Sequence, residues 1–215
     1  IEVNSDITLV AEFAINVYTV ELKAENGVVY GSGDYEHGAE VEIFVTPNEG
    51  YQFVGWSDGD INSTRTIVVT SDIVLQAEFV IEVMTVDVLV ENAVVIGTGE
   101  YAYGSEATII VLPNAGYQFV RWSDDVLESV RNIKVTSDTL LVAETTPIVY
   151  SVELQGDHGR LLGSGEYNSG SHVEIEAIAD EGYHFVRWSD GVVDAIRTIE
   201  VNSDITLVAE FAINV

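Results

Sequence analysis

Apolar and polar residues alternate with a period of two through most of the chain. Tyr18-Thr-Val-Glu-Leu-Lys-Ala24 and Ala39-Glu-Val-Glu-Ile-Phe-Val-Thr46 are two such stretches. A side chain pointing to alternate faces at each step is the mark of a strand with one face buried, so each predicts a half-buried β-strand. Glu25-Asn26-Gly27 follows the first stretch and predicts a hairpin, because Asn-Gly readily takes the left-handed turn. Val28 to Tyr35 is then the return strand, and Gly31 and Gly33 within it mark a bulge or a close backbone approach. Thr66 to Thr70 and Ile73 to Phe79 predict a second hairpin about Ser71-Asp72. The segment Tyr51 to Trp56 is apolar on both faces, which requires either burial on both sides or a bulge.

This pattern recurs. Gly50-Tyr-Gln-Phe-Val-Gly-Trp-Ser-Asp58 returns as Gly116 to Asp124 and again as Gly182 to Asp190, each copy 66 residues after the last. Every other feature keeps that register, giving repeats at 18–83, 84–149 and 150–215. Residues 1–17 read the same as residues 199–215, letter for letter, and so predict the C-terminal hairpin of a preceding repeat. Either the parent array repeats in blocks of three, or the segment was cut to complete a period. The loops after the tryptophan, 59–64, 125–130 and 191–196, differ most, and the last two predict a single helical turn. The first joint, Ala77 to Leu89, contains no Gly, Ser or Pro, and only the second carries a breaker, Pro147. A flexible linker is rich in glycine and serine, so these joints predict a semi-rigid rod. Strands of seven residues at ~3.3 Å each give an advance of roughly 25–40 Å per repeat.

Composition narrows the function. The formal charge is −28, from 36 acidic against 8 basic residues, with no basic patch. Nucleic acid and anionic membrane surfaces are therefore unsuitable partners. The acids mostly alternate with apolar residues and read as a solvated face that keeps the array soluble; a halophilic or calcium-rich habitat is the sharper alternative. There is no cysteine, so disulfides and thiolate chemistry are excluded. No run of apolar residues is long enough to span a bilayer as a helix.

Few constellations carry chemistry. Tyr51, Phe53 and Trp56, with Tyr117, Phe119 and Trp122 and with Tyr183, Phe185 and Trp188, predict an aromatic core in each repeat. A sugar-stacking platform is the alternative, decided by exposure of the indole. Arg65, Arg131 and Arg197 recur with Asp58, Asp124 and Asp190 in a chain poor in bases, which predicts a structural ion pair that ties down the variable loop. Asp58-Gly59-Asp60 hints at calcium, yet the other repeats lack the pattern, so no cofactor is expected. The four histidines, His37, His158, His172 and His184, stand at non-equivalent places and form no ligand pair or triad. No catalytic residue is identified.

The order of strand, Gly-x-Gly-x-Tyr, strand, Pro-Asn-x-Gly-Tyr-x-Phe-x-x-Trp-Ser-Asp and a terminal Ala-Glu-Phe resembles the divergent internalin-type B-repeat of the Listeria–Bacteroides type. The second repeat departs from it with Ala143-Glu144-Thr145 and with Ala93 in place of glycine. The resemblance implies an exported all-β module, β-grasp-like or a small β-sandwich, repeated in tandem at the bacterial cell surface. It implies a spacer or an adhesin stalk and brings no catalytic residues. The expected role is thus a stiff, acidic, extracellular stalk or filament segment. The alternatives are a glycan- or protein-binding module and a subunit that assembles end to end, its partners being copies of itself.

Overall fold

The computed structural model describes Glu2 and residues 4–215, and every regular element among them is a strand. The first repeat has seven: β1 (Val17–Lys23), β2 (Gly27–Tyr30), β3 (Gly33–Glu36), β4 (Ala39–Pro47), β5 (Tyr51–Trp56), β6 (Thr64–Val69) and β7 (Ile73–Ile81). The second repeats them as β8 (Val83–Leu89), β9 (Ala93–Ile96), β10 (Gly99–Ala102), β11 (Glu106–Pro113), β12 (Tyr117–Trp122), β13 (Val130–Lys134) and β14 (Thr139–Pro147). The third has β15 (Val149–Gln155), β16 (Gly159–Leu162), β17 (Gly165–Asn168), β18 (Ser171–Ala179), β19 (Tyr183–Trp188), β20 (Ile196–Val201) and β21 (Ile205–Ile213). Two compact units result. One runs to Met84 and adds Glu100–Ser105 and Val135–Ser137; the other holds Thr85–Gly99, Glu106–Lys134 and Asp138–Val215.

Each repeat is a small sandwich. In the first, a mixed sheet in the order β3-β1-β7-β5 faces an antiparallel sheet of β2, β4 and β6. Both contribute to one core: Val20 and Leu22 from β1, Val41, Ile43 and Val45 from β4, Val69 from β6, and Leu75 and Ala77 from β7 enclose Trp56. The third repeat has the same arrangement, with Val152, Val173, Ile175, Ala177, Val201, Leu207 and Ala209 around Trp188. The second keeps the parallel pair β8–β14, the antiparallel pair β12–β14 and the sheet β9-β11-β13. Among the described residues no strand set closes on itself.

Neither expected hairpin forms. β1 pairs with β3, while β2 pairs with β4, so the Asn26-Gly27 turn carries the chain from one sheet to the other. The expected return strand is two strands divided at Gly31, whose φ is +106°. A Cβ there would stand 2.8 Å from the Glu42 carbonyl oxygen and 2.9 Å from Ile43 Cγ2, so only glycine lets the chain cross at this height. β6 and β7 likewise belong to different sheets, β6 beside β4 and β7 between β1 and β5. The residues at Ser71-Asp72 suit a crossing as well as a tight turn, and the two apolar faces of β6 and β7 are buried by opposing one another.

The expectation for residues 1–17 changes with this. Their copy, 199–215, ends β20 and forms β21, which lies parallel to β15 and antiparallel to β19. Residues 4–16 form no strand and are exposed; Ile1 and Val3 lie outside the described residues. A strand needs neighbours to satisfy its backbone groups, and within this sequence no strand lies beside residues 4–15. The helical turn expected after Trp122 and Trp188 is also absent, replaced by an irregular loop.

Candidate functional site

The recurring anchor builds one local device in all three repeats. β5 carries a bulge between Phe53 and Gly55, and β12 and β19 carry it between Phe119 and Arg121 and between Phe185 and Arg187. The extra residue turns Trp56 to the same side as Phe53, which resolves the doubly apolar segment. Val54 at the bulge is exposed, while Phe53 meets Trp56 edge to face at 5.7 Å. Phe119 and Trp122 stand at 5.8 Å, and Phe185 and Trp188 at 5.5 Å. The tryptophans are 2%, 0% and 0% exposed, so no indole face is offered to a ligand. Tyr51, Tyr117 and Tyr183 are half-buried at the rim.

The buried indole holds the variable loop. Trp56 Nε1 donates to the Asn62 carbonyl at 2.9 Å, Trp122 to Glu128 at 2.9 Å and Trp188 to Asp194 at 3.1 Å. Because the acceptors are backbone carbonyls, the loop sequence is free to vary. The arginine closes the loop from above. Arg65 reaches Asp58 at 2.5 Å and Asp60 at 2.9 Å, Arg131 reaches Asp124 at 2.9 Å, and Arg197 reaches Asp190 at 2.5 Å. Each guanidinium also lies over its tryptophan, 5.7, 5.1 and 6.0 Å from the ring centroid. The hydrogen bond from arginine is the main cause that holds Asp58, Asp124 and Asp190 below the ordinary carboxylate range. Asp60 is lowered first by the Asn62 backbone N–H and then by Arg65. In the first repeat the cation facing Asp58 and Asp60 is thus Arg65, and no three His, Asp or Glu side chains among the described residues group as a metal site.

Two further devices gave no clear signal in the sequence. Asp72, which reads as an ordinary turn residue, accepts the backbone N–H of Thr19 at 2.9 Å across 53 residues. Asp138 does the same for Thr85 at 2.8 Å, and Asp204 for Ser151 at 2.8 Å. This carboxylate fixes where the first strand of a repeat begins against the last. Its recurrence at a constant spacing was the available signal. The hydroxyl of Ser57 accepts the Gln76 N–H at 3.0 Å, and that of Ser189 accepts the Val208 N–H at 3.1 Å.

The second device is the joint. One residue, Glu82, separates β7 from β8. Its N–H donates to the Gly50 carbonyl at 2.8 Å, and its carbonyl accepts the Tyr103 N–H at 2.8 Å. At the next joint Ile148 bonds Gly116 and Ser169 in the same way, both at 2.8 Å. Asn16 accepts from His37, and Asn214 donates to Gly182, again at 2.8 Å. Glutamate, isoleucine and asparagine fill one role because only backbone groups act. The first joint adds a side-chain contact: the Tyr103 hydroxyl donates to Glu49.

A bulged sandwich with a tryptophan-anchored loop and a one-residue joint defines a tandem β-repeat. The model of the divergent InlB B-repeat domain matches residues 18–82, 85–148 and 150–215, and the chain belongs to that family. Two relatives come from Evansella cellulosilytica. One, named "Putative membrane protein", is 27% identical over 97% of this chain; the other, named "Putative Gly-rich membrane protein", is also 27% identical over 97%. The chain spans 34% of the first relative and 26% of the second. A solved structure, "The Bacillus anthracis TIE protein", is similar in fold with a TM-score of 0.50, at 10% identity, over 92% of this chain and 51% of that one. No helix among the described residues is long and apolar enough to cross a membrane.

Proposed function

We propose that this segment is a non-catalytic spacer of an extracellular surface protein, a stiff acidic stalk that holds other parts of its parent away from their base. The observation that carries the reading is the joint: a single residue, bonded through its backbone to the repeat before and the repeat after, stands where a flexible linker would be. The charge of −28 supports it, since mutual repulsion disfavours lateral clumping of neighbouring stalks. The family and the names of the relatives support a place at the cell envelope. Small-angle scattering on this chain and on a six-repeat version, with and without calcium, tests it. The maximum dimension nearly doubles, calcium leaves it unchanged, and Gly-Gly-Ser inserted after Glu82 broadens the distance distribution. A compact six-repeat chain, or one indifferent to the insertion, sinks the reading.

One observation favours a second reading, an adhesive face. On the outer side of the first repeat Tyr30 and Phe44 stack at 4.4 Å and 12° and are both exposed. The cross-strand pair also stabilises the sheet. Retention on immobilised polysaccharides that Tyr30→Ala and Phe44→Ala abolish, with unchanged thermal unfolding, would favour adhesion over a purely mechanical role.

A further inference from the structure

β7 changes neighbours half-way along. β1 lies along Ile73–Gln76 on one side, and β5 along Ala77–Ile81 on the other. Ser57 takes both the carbonyl and the N–H of Gln76, so the even-numbered residues of β7 turn their peptide groups toward β5. Those of Ala77 and Phe79 turn the other way, where β1 has ended and the chain has crossed to the opposite sheet. No strand among the described residues runs beside them there. A groove of about 360 Å³ follows this edge, lined by Glu25 and Asn26 of the crossing, by Glu78, Phe79 and Val80, and by Val54 at the β5 bulge.

One residue of this face sets the first repeat apart. Glu144 pairs with Arg121 at 3.0 Å and Glu210 with Arg187 at 2.8 Å, each arginine standing at the strand bulge. Glu78 is the same carboxylate in the first repeat, and Gly55 stands opposite it. Among the described residues no base pairs with Glu78; Lys23, on β1, pairs with Glu21 at 3.2 Å. Glu25, also exposed, adds a second carboxylate, and no lysine or arginine lines the groove.

We propose that the first repeat binds an extended, cationic peptide segment of a partner protein by strand addition in this groove. The segment's backbone bonds to the open peptide groups of Ala77 and Phe79. One of its arginines takes the place beside Glu78 that Arg121 and Arg187 fill within the other repeats. A cation is called for because the chain supplies the carboxylate and leaves out its partner. The strand edge gives affinity without a demand on sequence, while Glu78 and Glu25 select against acidic segments. In the second and third repeats the built-in arginine already answers the carboxylate, so neither recruits another. A stiff joint is not needed for any of this, so the scattering test of the stalk can fail and peptide binding still hold.

The test uses the full chain, isotope-labelled and followed by amide NMR. It is titrated with a capped Thr-Val-Arg-Val-Thr peptide, with its glutamate-for-arginine version, and with the arginine peptide N-methylated along its backbone. The arginine peptide moves the signals of Ala77, Glu78 and Phe79 and leaves those of Ala143, Thr145, Ala209 and Phe211 in place; the other two peptides move none. Glu78→Gln weakens binding roughly three- to fivefold, the worth of an exposed ion pair. Gly55→Arg abolishes it by filling the place from within. A Cβ there stands 3.4 Å from the Asp60 carbonyl oxygen, an ordinary contact, and thermal unfolding checks that the fold is kept. Arg187→Gly frees Glu210 and brings the response to Ala209 and Phe211. The proposal is wrong if Ala77 and Phe79 do not respond, or if the glutamate or N-methylated peptide acts equally. It is also wrong if binding survives Gly55→Arg, if the third repeat stays silent in Arg187→Gly, or if a second copy of the chain already fills the groove.

Discussion

The ring of Tyr103 lies directly on the α-carbon of Gly50, so close that a Cβ at position 50 would overlap it. Gly50 has φ +79° and Gly182, its counterpart in the third repeat, has φ +86° with open space beyond. The comparison separates strain from packing. Gly182→Ala costs about 1–2 kcal/mol for a left-handed alanine. Gly50→Ala costs more, since Tyr103 must also give way. Thermal unfolding of the two variants measures the difference; equal losses would mean that Tyr103 adds nothing to the joint.

Arg131→Ala removes the bond to Asp124 and the contact with Trp122, and loosens the loop that carries Glu128. The pair is partly exposed, so a loss of roughly 1–2 kcal/mol is expected. Arg131→Lys recovers only part of it, because a lysine cannot span carboxylate and ring as a planar fork does. Denaturant unfolding followed by Trp122 emission reads both; a lysine variant as stable as the parent would show that charge alone matters.

Acid should destabilise the fold through the loop carboxylates. Asp58, Asp124 and Asp190 have folded pKa values below the unfolded value, so their contribution is complete above about 3.9 and is lost as pH falls through the folded values. The melting temperature therefore falls below about pH 4 as these carboxylates are protonated. Asp124→Asn flattens the acid limb; an unchanged limb would remove the loop carboxylate from its cause. Tyr103 carries the opposite sign. Its bond to Glu49 raises its pKa, so its contribution holds below about 10 and fades as pH rises through the folded value.

Asp138→Asn keeps an oxygen facing the Thr85 N–H, whereas Asp138→Ala leaves that N–H without its acceptor. The alanine variant is the less stable of the two, because it leaves the Thr85 N–H without its carboxylate partner. Hydrogen exchange at the Thr85 amide distinguishes them, with fast exchange expected only in the alanine variant.

Strands were legible in the sequence because burial on one face imposes a period of two whatever the partner. Which sheet each strand joins was not. Asn26-Gly27 and Ser71-Asp72 serve a hairpin and a crossing equally well, and the choice is made elsewhere, by Gly31 allowing the backbone past Ile43 and by β7 finding β1 as a parallel neighbour. The aromatic and arginine device was legible because it uses the same side chains at the same spacing three times. The joints were hard to read because the bonds they share are made by backbone groups, and the Tyr103–Glu49 contact occurs only at the first.

A connection made mainly from main-chain atoms places little demand on the residue that fills it, as Glu82 and Ile148 show, and only the first joint adds a side-chain demand through Tyr103 and Glu49. A 66-residue block can then be gained or lost while the joint residue stays free to vary, so such an array can lengthen or shorten in fixed steps.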